Sequence, residues 1–341
     1  MAAVASGTHP PLPPFAISLG DPAGIGPEVV GKAWDMRDAR GLPGFFAIGD
    51  ARSLRAAWRG PIAEISSPEE ASAAFASALP CLNVADAGEV VPGQPTIEGA
   101  HTALQALEVG VGLARAGSAA GLITAPVGKT QLYGIGFTHP GQTEFVAERC
   151  GVAPENAVMM LAGPGLRVVP ITIHIPLSAV PTALTTDLIR ARALVTARGL
   201  QRNFGIAAPR LAVAGLNPHA GEQGALGREE LDIIIPAIEA LAAEGLSISG
   251  PQAADGMFHP RARETYDAAL CMYHDQALIP IKTLYFDDGV NMTLGLPIIR
   301  TSPDHGTAFG IAGHNVANPG ATIAAIRMAA SAARHRLAFE G

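Results

Sequence analysis

The sequence predicts an α/β protein in which helices pack on a largely parallel sheet, and two patterns carry that prediction. Short apolar runs recur and stop at turn or polar residues: FAISLGD (15–21), FFAIGD (45–50), LITAP (122–126), VVPITIH (168–174), LAVAGLNPH (211–219) and ALCMYH (269–274). Runs of this length and apolarity are what strands buried on both faces look like. Between them, apolar residues fall three and four apart, as in Ala100, Ala103, Leu104, Leu107, Val111 and Ala114, or Leu231, Ile234, Ile235, Ile238 and Leu241. That spacing gathers one apolar helix face. Alternation of the two patterns is the signature of a sheet with helical crossovers.

The chain has 341 residues, 48% of them apolar, enough for a large core and beyond the size at which single cores usually divide. A net charge of −7 and the lack of a Lys/Arg stripe give nucleic acid nothing to grip, so a small-molecule partner is expected. Cys81, Cys150 and Cys271 are scattered without a C-x-x-C pair. That excludes a disulfide framework and a cysteine zinc site, and suits a reducing cytoplasm. The leader MAAVASGTHPPLPP has neither a basic start nor an unbroken apolar stretch, and is expected to be a flexible tail over residues 1–14. A long uncharged run, Val168 to Thr186, contains His174 and three prolines, so no membrane span is expected.

His174, His219 and His274 each close a different expected strand, 45 and then 55 positions apart. Parallel sheets place ligands at the carboxyl ends of their strands. Three imidazoles at one sheet edge would hold a divalent ion and leave positions open for water or substrate, whereas each histidine alone could simply close its strand with a backbone hydrogen bond. His219 stands in GLNPHAGEQGALG, whose four glycines let a loop bend tightly. Asp255 in ADGMFHP and Asp275, next to His274, could orient a ligand or take a proton, or be ordinary loop carboxylates.

Lys282 in IPIKTLY, Asn291 in GVNMTLGLP and Arg300 in PIIRTS are polar residues among apolar neighbours, where a phosphate or carboxylate would supply the missing partner. THPGQTEF (138–145) sets His139, Gln142, Thr143 and Glu144 around a Pro-Gly turn at an expected helix start. Helix starts favour anions. GDPAGIGPE (20–28) follows a strand but matches neither dinucleotide nor phosphate-loop spacing, so tight packing at a helix entry competes with nucleotide binding. DHGTAFGIAGHNVANPG (304–320), with His305, Thr307, Asn315 and Asn318, could wrap an adenine ring.

In this order, GDPAGIGPE, TAPVGK, GQTEF, GLNPHAGE, YHDQ, NMTLGLPIIRTSPDHGTA and IAGHNVANPG closely resemble the 4-hydroxythreonine-4-phosphate dehydrogenase family over nearly everything after residue 15. The first and last segments also resemble isocitrate and isopropylmalate dehydrogenases. The resemblance implies a two-domain, three-layer α/β/α subunit with its active site in the interdomain cleft. The first domain would comprise residues 15–129 plus 298–341 and the second 130–297. It further implies a homodimer whose subunits share each site, and one divalent ion (Zn, Mg or Co) on His174, His219 and His274. Gln142, Thr143, Lys282, Asn291 and Arg300 become substrate-binding residues. His305, Gly306, Thr307 and Ala308, with Asn318, become the side that meets NAD or NADP. One departure stands out: Gln142 replaces the histidine that the family more often has. Glutamine can donate a hydrogen bond but cannot carry a proton's charge.

The implied reaction oxidises 4-phosphooxy-L-threonine at its 3-hydroxyl, with hydride passing to NAD or NADP. The resulting β-keto acid loses carbon dioxide to give 3-amino-2-oxopropyl phosphate, and the ion polarises oxygen in both steps. Lys282, Asp255 and Asp275 are the candidate proton carriers. Two further readings compete: a dehydrogenase of a related sugar-acid phosphate, erythronate or threonate 4-phosphate, and a nucleotide-independent metal hydrolase or lyase. A zinc-stabilised binding protein fits less well, since structural zinc usually takes four protein ligands.

Overall fold

The computed structural model describes residues 12–340. Most of the tail expected over 1–14 lies outside the described residues.

Among the described residues, twelve strands form one continuous sheet: β1 (Phe15–Ser18), β2 (Phe45–Gly49), β3 (Ile62–Ile65), β4 (Leu79–Asn83), β5 (Leu122–Thr124), β6 (Val158–Gly163), β7 (Leu166–Pro170), β8 (Arg210–Ala214), β9 (Ser247–Gln252), β10 (Ala268–Cys271), β11 (Val290–Leu294) and β12 (Arg300–Pro303). Their spatial order is β3-β4-β2-β1-β5-β12-β11-β6-β7-β10-β8-β9. All six expected strands are present. β1, β2 and β5 are buried throughout, as their unbroken apolar runs require. The two helical spacings correspond to Ile97–Ala116, which starts on the Thr96 side chain and ends at left-handed Gly117, and to a π turn leading into Ile235–Ala243.

The sheet departs from a uniformly parallel one at its centre. β12 and β11, β11 and β6, and β6 and β7 each pair antiparallel, while the strands on either side pair parallel among themselves. Three successive reversals make the β7-β10-β8-β9 group run opposite to the β3-β4-β2-β1-β5-β12 group. The expectation that carboxyl ends share one edge therefore holds within each group and not across the sheet.

The three cysteines are free, and burial pushes the Cys81 thiol up to about 12. Among the described residues no helix is long and apolar enough to cross a membrane.

Candidate active site

A cavity of about 370 Å³ opens at the antiparallel centre of the sheet. Strand alternation builds its floor: Asn291 on β11 and Arg300 and Ser302 on β12 line it, with Asn291 directly opposite Ser302 in register. The helix His274–Leu284 forms one wall, since His274, Leu278 and Lys282 succeed each other four apart on one face. The start of the helix Gln142–Arg149 supplies Gln142, Thr143 and Glu144. The segment after β5 adds Pro126 and Lys129, and the segment after β12 adds Asp304, His305 and Gly306.

Arg300 is the electrostatic centre. It is 3% exposed, and it donates to Thr124 Oγ1 at 2.8 Å, Thr293 Oγ1 at 3.1 Å and Thr143 Oγ1 at 3.2 Å, while its Nε has no partner. No carboxylate neutralises it by contact among the described residues. Burial pushes its pKa down to about 10, against an opposing pull from Glu144, so the side chain remains a cation at neutral pH. An uncompensated buried guanidinium, three hydroxyls and a helix start converge where an anion would complete the set.

Lys282 pairs with Asp304 at 2.9 Å, and Asn291 Oδ1 is buried without a partner. Gln142 donates its amide to the Ala125 carbonyl at 3.2 Å, which leaves Oε1 as its unpartnered atom. In this orientation Gln142 offers the site an acceptor, whereas donation to phosphate was expected. His139 lies outside the cavity lining. Its ring packs against Phe137 and Phe145 and its Nε2 meets Glu148 Oε2 at 2.8 Å, so it belongs to the scaffold.

His174 and His274 both border the cavity, with ring centroids 5.7 Å apart. Burial lowers the His174 pKa, with Lys129 and His274 adding to the effect, and so favours the neutral, ligating form. Asp275 Oδ1 stands 2.7 Å from His274 Nδ1 and would fix the tautomer that turns Nε2 outward, a carboxylate–imidazole arrangement typical of metal ligands. His219 follows β8, and β7, β10 and β8 are parallel neighbours, as the strand-end argument expects. Yet His219 does not join the other two: among the described residues no group of three or more His, Cys, Asp or Glu could hold a metal. Of the three expected ligands, one chain brings His174 and His274 to the cavity.

His219 is held in an unusual conformation. His219, Ala220, Gly221, Glu222 and Gln223 all have positive φ, and buried Glu230 pins the turn by accepting from the Asn217 backbone at 2.8 Å and its side chain at 2.9 Å. Among the described residues, every other non-glycine with positive φ lies at His174 or in the segment after β12, at Ala308 and Asn315. Left-handed backbone costs energy for such residues and concentrates where function needs it.

The remaining expected residues are dispersed. Asp255, in a short 3₁₀ turn, and Asn318 lie outside the cavity lining. Asn318 Oδ1 instead accepts from Gly320 N at the start of the last helix, and borders a separate cavity on Met36 and Arg327. Thr307 O accepts from Ile25 N, and Ala308 has φ 47°, so the His305–Ala308 segment rests on GDPAGIGPE. That motif works largely as packing. A Cβ on Gly26 would stand 2.1 Å from Leu19 O, and Glu28 accepts from Lys32 Nζ at 2.7 Å and Ala317 N at 2.9 Å. Sequence reasoning assigned no role to Lys129, Thr124, Thr293 or Glu144. TAPVGK contains Thr124 and Lys129, GQTEF contains Glu144 and NMTLGLP contains Thr293, without a pattern to mark them.

The family model of the pyridoxal phosphate biosynthetic protein PdxA matches residues 43–329. A 4-hydroxythreonine-4-phosphate dehydrogenase of Zymomonas mobilis is 58% identical over 96% of this chain and 98% of its own. One from Erythrobacter litoralis is 55% identical, again over 96% and 98%. The crystal structure of the Klebsiella pneumoniae enzyme of that name superposes with a TM-score of 0.84 at 36% identity, covering 94% of this chain and 98% of that one.

Proposed function

The chain belongs to the PdxA family of 4-hydroxythreonine-4-phosphate dehydrogenases, and from that premise we propose how its residues carry out the reaction. It is an oxidoreductase of pyridoxal phosphate biosynthesis, acting on 4-hydroxythreonine 4-phosphate. The substrate phosphate sits on Arg300, Thr124 and Thr143, with Asn291 and Lys282 beside it. The observation that carries this placement is the buried guanidinium of Arg300, which among the described residues hydrogen-bonds to hydroxyls alone.

His174 and His274 suit a divalent ion chemically: both border the cavity, and Asp275 fixes the tautomer of one. When bound, such an ion supplies Lewis acidity at the substrate hydroxyl. His219 arrives from a second copy of the chain in a homodimer. Its left-handed turn and its separation from the other two histidines support that reading. Lys282, paired with Asp304, is the proton carrier within reach of the cavity. Asp275 orients His274. Asp255 stands outside the lining of the cavity and is not assigned a proton-carrying role in one chain. The nucleotide, NAD or NADP, takes the His305–Ala308 side, and three free thiols suit a cytoplasmic setting.

The test is formation of reduced nucleotide from 4-phosphooxy-L-threonine by purified protein, with NAD and NADP in turn and a panel of zinc, magnesium and cobalt. Chelation should abolish it and one of the ions restore it. Metal-dependent turnover with no reduced nucleotide would favour a hydrolase or lyase.

A further inference from the structure

We infer that His139, which lies outside the cavity, is the residue that positions the substrate-binding start of the helix Gln142–Arg149, and that it does so through its hydrogen bond to Glu148. The inference rests on the proposed placement of phosphate at Arg300 and Thr143 and deepens it.

The N-cap residue of this helix, Gly141, makes no side-chain cap bond, so ordinary capping does not fix where the first turn begins. Thr143 in that turn must nevertheless meet Arg300 Nη1 at 3.2 Å. A chain of four side chains anchors the helix from behind. His139 Nε2 stands 2.8 Å from Glu148 Oε2, Glu148 Oε1 accepts from Arg149 Nη1 at 2.6 Å, and Arg149 Nε lies 2.9 Å from both carboxylate oxygens of Glu108. The His139 contact is the main cause holding the Glu148 carboxyl below its usual range, so an ionised carboxylate accepts and Nε2 donates. Glu108 belongs to the helix Ile97–Ala116, which packs on β1 and β2. The segment before Gln142 is thereby tied, through the last turn of its own helix, to the sheet.

The ring of His139 is placed for this task. Phe137 and Phe145 flank it with centroids 5.1 and 5.4 Å away, and stand 5.6 Å from each other. Phe137 also lines the cavity, and Phe145 is buried on the helix just after Thr143 and Glu144. Nδ1 is buried without a partner, so among the described residues the bond to Glu148 is the one hydrogen bond that sets the ring's orientation. A displaced His139 therefore passes its shift to Phe137 in the cavity wall and to Thr143 at the helix start. Exposed ion pairs such as those of Glu148 add little to stability. Their effect falls on geometry, where a small misplacement of a binding group costs far more than it costs the fold. The competing role for His139 is packing alone, as a ring covering Phe145.

Steady-state kinetics on the full chain, with 4-phosphooxy-L-threonine and the nucleotide varied in turn, test the inference. His139→Phe keeps the ring and removes the bond. It should raise KM for the phosphorylated substrate about fivefold or more, with kcat and KM for the nucleotide changed by less than about twofold. His139→Gln, whose amide can donate as Nε2 does, should stay within about twofold of the parent in all three constants. Glu148→Ala should match His139→Phe, and the double variant should be no worse than either, as for two groups that act as one unit. A parental KM in His139→Phe, or equal changes in all three constants, would overturn the positioning role and leave the ring as packing. Arg300→Met keeps the two levels apart. An unchanged KM in that variant would overturn the phosphate placement itself, whereas a raised KM there beside a parental one in His139→Phe would overturn the His139 inference alone.

Discussion

Arg300 Nη2 donates to Thr124 Oγ1 at 2.8 Å, so a cation on β12 is tied to β5 by a hydroxyl that cannot neutralise it. Thr143 and Thr293 hold the other arm in the same way. The folded protein bears the desolvation of that charge, and an anionic ligand relieves it. Arg300→Met should therefore lower kcat/KM for the phosphorylated substrate by about 100-fold or more, as expected for charge-assisted hydrogen bonds in a buried pocket. Arg300→Lys should recover only part of this, because a point charge cannot reach three hydroxyls as a planar fork does. Steady-state kinetics on the two variants decide it; full activity in either would remove Arg300 from the phosphate site.

The same burial sets a pH dependence. Burial pushes the folded pKa of Arg300 down to about 10, below its ordinary value, so the folded chain holds this proton less tightly than the unfolded chain. Below about pH 10 the guanidinium is charged in both states and its burial cost is fully present. As pH rises above about 10, the unfolded state binds more protons and that cost is relieved. Stabilisation by bound phosphate follows the opposite course, full at neutral pH and shrinking above about pH 10. The Tm increment from inorganic phosphate, taken at about pH 7.5 and about pH 10.5, should fall more in the parent protein than in Arg300→Met. The other cationic groups are common to both proteins, so an equal fall would leave Arg300 uninvolved.

His174 and His274 face each other in one chain while His219 stands apart on its left-handed turn, and that arrangement has a consequence for mixed dimers. Alone, His219→Ala and the double variant His174→Ala/His274→Ala should each be inactive. Mixed after dissociation and reassociation, they should recover about a quarter of parental activity, because half the dimers are hybrids and each hybrid has one intact site. No recovery, despite hybrid dimers in native mass spectra, would mean that a single chain builds the whole site.

Much of this was legible from the sequence where one residue type has one plausible environment. Unbroken apolar runs located β1, β2, β5, β7, β8 and β10, and the histidines after β7, β8 and β10 stand at the ends of neighbouring strands. β11 and β12 were missed because Asn291 breaks the apolar run of β11 and β12, RTSP, has no apolar run at all, and Asn291, Arg300 and Ser302 line the cavity. The same polar residues that hid the strands marked the site. Lys129 and Glu144 carried no signal, since an exposed charge at a helix start looks the same whether or not a ligand meets it. The sense reversal at the sheet centre depends on pairing between strands far apart in sequence, which local patterns do not encode.

Glu28 shows how GDPAGIGPE can matter to the nucleotide without touching it. Its buried carboxylate accepts from Lys32 Nζ and Ala317 N, while Lys32 also donates to the carbonyls of Asn315 and Ala317. One ion pair on the first helix thus fastens the far end of the segment that carries His305–Ala308. Removing the carboxylate leaves a half-buried ammonium and an unsatisfied backbone N–H, so Glu28→Ala should cost about 3 kcal/mol in denaturant unfolding. The loss should extend beyond stability. With the segment unfastened, KM for NAD or NADP should rise several-fold, while binding of 4-phosphooxy-L-threonine, set by Arg300 on the sheet, changes little. Lys32→Met should reproduce the split, because it breaks the same fastening from the other side. Equal changes in both constants would mean that Glu28 supports the fold generally, and that the segment after β12 is positioned by something else.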